Sequence, residues 1–155
     1  MEVLDAIKQR HSVRSYLDKP IDTDVRDELR KYIDKCNQEG NLHIQLIENE
    51  PQAFAKGLFH YGLFSNVKNY IALVGKEDST FDERCGYYGE KIVLKAQMLG
   101  LNTCWVGGTY KKIESVVDLK SGEKFLMIIA IGYGENQGRE HKYKSIIYGS
   151  LQRSG

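Results

Sequence analysis

Arg10-His11-Ser12-Val13-Arg14 places two guanidinium groups and a hydroxyl within five residues. If the stretch is extended, alternate side chains point the same way, so Arg10, Ser12 and Arg14 share one side. That set suits a phosphate, because guanidinium binds it through paired N–H groups and a hydroxyl completes the cradle. The same arginines could instead pair with carboxylates such as Asp18 or Asp5, and short motifs of this kind recur by accident. A second group is Trp105-Val106-Gly107-Gly108-Thr109. Paired glycines let backbone N–H groups approach a flat ligand, and Trp105 offers an apolar surface beside them. An ordinary glycine turn next to a core tryptophan accounts for the same residues. A third stretch, Arg139-Glu140-His141-Lys142-Tyr143-Lys144-Ser145, opens a segment with four cations against one carboxylate. Lys142 and Lys144 share one side if it is extended. It reads either as a solvated basic tail or as a second cationic contribution to the same anion.

Other chemistries find little support. His43 and His60 have no partner at metal-ligand spacing, so no metal site is expected. No G-x-S-x-G, H-E-x-x-H, P-loop or G-x-G-x-x-G occurs. Gly132-Tyr133-Gly134 opens no glycine-rich helix, and Tyr87-Tyr88-Gly89 reads as packing. The chain has 22 Lys+Arg against 21 Asp+Glu, which lacks the basic field of a general nucleic-acid binder. Hydrophobic residues make up 41% and charged ones 28%, which excludes a disordered or membrane-embedded chain. The longest uncharged stretch, Ala96 to Tyr110, is too short to cross a bilayer. Met1-Glu2-Val3-Leu4-Asp5 reads as an acidic helix start rather than a leader. Three widely spaced cysteines, Cys36, Cys85 and Cys104, suit reduced core thiols in a cytoplasmic protein.

These groups need a frame to position them, and 155 residues predict one domain. The first helix is expected over Glu2 to Gln9, with Val3, Leu4 and Ile7 facing inward. Val13 to Lys19 is an extended crossing. Asp22 or Thr23 caps a second helix carrying Val25, Leu29, Tyr32, Ile33 and Cys36, which Gly40 ends. Leu42-His43-Ile44-Gln45-Leu46 alternates as a strand with one wet face. Tyr70 to Val74 and Leu126 to Ile131 are continuous apolar runs suited to central strands covered on both faces. Asp82 to Leu99 reads as a long helix capped by Gly100, Thr103 to Val106 as a short strand or extended segment, and Ile113 to Leu119 as a short helix. The irregular order of helices and strands favours an α+β fold over a doubly wound one.

Taken together, these pieces resemble the FMN-dependent nitroreductase family. Ala6 to Tyr16 is similar to its N-terminal signature, a helix running into R-[RH]-S-x-[RK]-x-[FY]. Glu90 to Trp105 resembles its central helix, which ends L-G-L-x-x-x-W. Ala130 to Gly134 resembles its I-G-Y-P strand end, and Lys142-Tyr143-Lys144 its following basic element. Asn69 to Gly75 and Gly132 to Gly138 resemble one branch of the family in particular. The resemblance implies a central, mostly antiparallel sheet flanked by helices, in an intertwined homodimer with two FMN sites at the interface. It implies that Arg10, Ser12, Lys142 and Lys144 hold the FMN phosphate and ribityl chain, with His11 touching it mainly through backbone. Arg14 would lie near the N1/O2 edge of the isoalloxazine, where a fixed cation tunes the cofactor. Val106, Gly107 and Gly108 would line the ring near N5.

Three departures stand out. Cys36-Asn37-Gln38-Glu39-Gly40 replaces the Pro-Ser-x-x-Asn-x-Gln-Pro-like segment of most members. The branch's A-P-T-x-x-N-Q-Q stretch would fall beyond Gly155, as in a natural short form or a fragment. Gly107 stands where many members have a carboxylate. The resemblance implies an enzyme in which FMN takes a hydride from NAD(P)H and passes electrons to a nitroaromatic, quinone or similar small-molecule acceptor. No catalytic side-chain acid or base is required. The alternatives are a flavin-binding dimer with an incomplete site and little turnover, and a structural dimer.

Overall fold

The computed structural model describes residues 1–54, 64–108 and 116–140. Three helices and four strands follow one another as α1 (Val3–Gln9), α2 (Thr23–Gly40), β1 (Gln45–Ile47), β2 (Tyr70–Lys76), α3 (Phe81–Met98), β3 (Asn102–Val106) and β4 (Glu123–Gly132), with a 3-10 turn at Gln52–Phe54. The strands form one sheet in the order β1-β2-β4-β3, and every neighbouring pair is antiparallel. The α+β expectation holds, with an antiparallel sheet and helices.

The apolar runs became central strands because both their faces are covered. Ile71, Leu73, Ile129 and Ile131 point to one side and pack with Leu29, Ile33, Cys85, Ile92, Val93 and Ala96 of α2 and α3. Tyr70, Ala72, Val74, Ile128 and Ala130 point to the other side and meet Val13, Tyr16, Ala53, Val67 and Val117 from the connections. This two-sided cover is what a run without polar alternation encodes. Fully burying each large aliphatic side chain contributes roughly 1.5–3 kcal/mol.

β1 starts three residues later than the alternation predicts. The Asn37 amide occupies both backbone groups of Ile44, accepting from its N–H at 2.7 Å and donating to its carbonyl at 2.9 Å. The alternation of burial from Leu42 to Ile47 is nevertheless present. α2 runs through Gly40, and the left-handed residue that ends it is Asn41 at φ 49°. Asparagine tolerates that conformation, so it takes the role expected of Gly40. Gly100, at φ +82°, does end α3.

One expectation fails, and the described end of a second is not helical. Val3, Leu4 and Ile7 are exposed, and Ala6 is the buried residue of α1. The helix lies against α3 through its small-residue side, leaving the larger apolar face uncovered in the single chain. Residues 116–119, the described part of the expected Ile113–Leu119 helix, form a turn and bend. There the Gln45 amide takes both backbone groups of Asp118, which holds the segment to the edge strand rather than to a helical repeat.

The three cysteines are buried and free, as read from their spacing. Burial pushes the Cys85 thiol up to about 11 and also raises that of Cys36, which suits packing rather than reactivity. No described helix is long and apolar enough to cross a membrane.

Candidate functional site

The segment after α1 is extended and threads along the rim of the sheet. Ser12 bridges Thr103 in parallel, with the Val13 N–H donating to the Thr103 carbonyl at 3.0 Å. Ser15 then bridges Ser65, and Tyr16 bridges Gly134. Val13 and Tyr16 are buried, whereas Ser12 and Arg14 are exposed on the other side. The predicted alternation is therefore present from Ser12 to Arg14. Tyr16 locks it from below, its hydroxyl donating to the Val13 carbonyl at 2.6 Å. Burial pushes the Tyr16 phenol far above its usual range, so it stays a donor.

The second candidate group lies on the same strand. Ser12 is bridged to Thr103, and Val106 is three residues further along β3, roughly 10 Å at the rise of a strand. The Val106 side chain is buried in the cluster that contains Val13. Gly107 and Gly108 are exposed beyond it; a Cβ on Gly107 would touch Met127 at 3.7 Å, and one on Gly108 would meet nothing within 4 Å among the described residues. The backbone there is open to a flat ligand.

The chain after β4 returns to His11. The Asn102 amide accepts from the Gly134 N–H at 2.9 Å and donates to Gln137 at 3.0 Å, which folds residues 132–138 over the start of β3. Gly138 has φ +84°, and a Cβ there would stand 2.5 Å from the Cβ of His11. Only glycine permits both that dihedral and that approach. The chain thus enters its basic stretch beside His11, with exposed Arg139 next in line. Lys142 and Lys144 lie outside the described residues, as do His60 and Tyr143.

Neither site arginine pairs with Asp18 or Asp5 among the described residues. Asp18 is taken by Lys68, and Arg14 has no ion-pair partner there. Arg10 instead faces Glu90 of α3, with Nε 3.7 Å from Oε1. The other Glu90 oxygen accepts from the Trp105 indole N–H at 2.9 Å. Among the described residues, Arg10 Nη1 is buried without a hydrogen-bond partner. A buried donor of this kind costs free energy until an acceptor arrives, and an anionic oxygen is the acceptor a guanidinium prefers. Glu90 carried no visible signal in the sequence, because a helix-to-strand contact 15 residues apart follows no local period. Gly89 makes that contact possible, since a Cβ there would stand 2.5 Å from the Trp105 ring.

The residues brought together are therefore Arg10, His11, Ser12 and Arg14 along one edge, Val106, Gly107 and Gly108 at the end of β3, and the turn leading to Lys142. A cavity of about 350 Å³ lies elsewhere, between Tyr16–Ile21, Glu48–Asn49 and Asn66–Asn69. Its charged side chains are already paired, Lys68 with Asp18, Glu48 with Arg30 and Lys19 with Asp22. The edge at Arg10–Arg14 differs from it in holding, among the described residues, a buried cationic donor without a partner.

The family described as "Putative TM nitroreductase" matches residues 2–149. The chain belongs to that family. Its solved neighbours share the fold at low identity. An FMN-dependent nitroreductase from Clostridium difficile R20291 is 18% identical, with a TM-score of 0.67 over 94% of this chain and 95% of its own. The "Putative NADH dehydrogenase/NAD(P)H nitroreductase" of Bacteroides thetaiotaomicron is 20% identical, with a TM-score of 0.65 over 92% and 93%. A "putative nitroreductase in complex with fmn" from Desulfovibrio desulfuricans is 16% identical, with a TM-score of 0.67 over 96% and 95%. No curated protein matches the chain.

For this nitroreductase-family chain the residues present fit a phosphorylated flavin. Among the described residues the orphaned Arg10 Nη1 asks for an anion, the exposed Ser12 hydroxyl stands two residues away, and the backbone at Gly108 is open to a flat ring.

Proposed function

We infer that this chain is an FMN-dependent oxidoreductase of the nitroreductase type, acting as one flavin-binding domain in a cytoplasmic homodimer. The observation that carries the reading is the buried Arg10 Nη1, unpartnered among the described residues, on the edge where the chain returns toward its second cationic stretch. Family membership supports it, as does the solved FMN complex of a neighbour. Arg10, Ser12, Lys142 and Lys144 would hold the phosphate and ribityl chain, and His11 would contribute its backbone. Arg14, free of any described carboxylate, would place a cation at the N1/O2 edge of the ring. Val106, Gly107 and Gly108 would present backbone along the ring near N5. Bound FMN supplies two-electron chemistry between NAD(P)H and a nitroaromatic, quinone or similar small-molecule acceptor. The protein's part is orientation, charge and exclusion of water, with no catalytic side-chain acid or base required. The apolar face that α1 leaves uncovered supports a homodimer.

The absorption spectrum of the purified protein tests this directly. A yellow protein whose visible flavin band bleaches on addition of NADH or NADPH is the expected result. A colourless protein that takes up no added FMN would overturn it. The second reading is a flavin-binding dimer without turnover, favoured by the unbroken passage of α2 through Cys36–Gly40 where most members carry another segment. A flavin band that neither nicotinamide bleaches selects that reading.

A further inference from the structure

We propose that Glu90 is a positioning residue for the phosphate-binding arginine, an inference that rests on the flavin reading above. Glu90 has two tasks in the structure. One oxygen lies 3.7 Å from Arg10 Nε, and the other accepts from the Trp105 indole at 2.9 Å. The edge of the indole in turn lies against α3 at Gly89. The carboxylate is thus fixed by a bulky, partly buried ring and cannot swing freely. It draws the guanidinium by its Nε side, and among the described residues Nη1 is left without an acceptor. A planar guanidinium held on one edge presents its other donors in a set direction, which is what binding a tetrahedral anion requires.

A bare charge argument predicts the opposite sign. A carboxylate this close to Arg10 repels a phosphate, so its removal should tighten binding. Orientation predicts that its removal loosens binding, and only for ligands that carry the phosphate. The two accounts separate cleanly.

Trp105 is the single tryptophan of the chain, so its emission reports on this cluster alone. The experiment strips flavin from the full-length protein and titrates FMN and riboflavin, which lacks the phosphate, following flavin and Trp105 fluorescence. In Glu90→Gln the indole keeps an acceptor, so the Trp105 emission maximum should hold. FMN affinity should fall about tenfold, the size of one weakened charge-assisted contact, while riboflavin affinity stays within about twofold. In an Arg10→Ala background Glu90→Gln should have no further effect, because it acts through that arginine. Equal or tighter FMN binding by Glu90→Gln overturns the proposal, as does equal loss of both ligands. A wild-type protein that does not prefer FMN to riboflavin fails earlier, at the flavin reading itself.

Discussion

Arg10 is held by a carboxylate on one edge and left wanting an acceptor on the other. That imbalance separates it from Lys19, Lys35, Lys68 and Lys124, which sit in exposed pairs with carboxylates. Exposed pairs contribute little, and salt screens them. A half-buried guanidinium that gains an anion contributes more. Replacing Arg10 by Ala should lower FMN affinity by roughly 1.5–3 kcal/mol, about 10- to 150-fold, as measured by equilibrium dialysis. Unchanged affinity would remove Arg10 from the site. Ser12 and Arg14 show how reliably an extended backbone sorts its side chains. Once Val13 commits to the core, its neighbours Ser12 and Arg14 face the other way.

At the scale of elements, two polar clamps hold the frame behind the site. Arg84 on α3 donates to the carbonyls of Gly40 at 2.8 Å and Asn41 at 2.9 Å, where α2 ends, and to Asp78 at 3.0 Å. It satisfies carbonyls that a helix end leaves open, with the charge a helix C-terminus favours. Arg84→Met should destabilise the protein by about 2 kcal/mol, lowering Tm by about 4–8 °C in thermal unfolding. The second clamp joins the start of β4 to His43. Partial burial pushes the Glu123 carboxyl up, but hydrogen bonds from His43 at 2.9 Å and the Lys120 N–H at 3.0 Å together outweigh it. Its folded pKa lies below the usual carboxylate value. Such a group adds stability that is complete above the unfolded pKa and is lost as pH falls through the folded one. Wild type should therefore exceed Glu123→Gln in denaturant-derived stability at neutral pH, and the gap should narrow as pH drops below about 4.3. A pH-independent gap would remove the charged carboxylate as the cause.

For the whole molecule, the telling surface is α1. Leu4 is 66% exposed and Ile7 55%, on a helix that leads straight into Arg10. A single chain gains nothing by presenting two such side chains on one short helix, whereas in the proposed homodimer a second copy would bury them beside the proposed flavin site. Leu4→Glu should therefore leave the stability of the protomer nearly unchanged, because the position is already wet, while shifting sedimentation from dimer to monomer. A wild-type protein that sediments as a monomer while holding flavin would contradict the homodimer.

The sequence by itself determined the parts governed by local periodicity and by burial on both faces. Continuous apolar runs at Tyr70–Val74 and Leu126–Ile131 could become only covered strands, and the stripe through Cys85, Ile92 and Ala96 only a helix facing them. It also set which side Ser12 and Arg14 share, since the alternation from Ser12 to Arg14 follows from Val13 being apolar. Tertiary structure alone decided which side of α1 faces inward. Its apolar residues look the same whether they meet the protein's own core or a second surface. It alone paired Arg10 with Glu90 rather than Asp18 or Asp5, and it alone set Gly138 against His11. Contacts between segments so distant along the chain leave no period to read, because they depend on how one element packs on another and not on the chain between them.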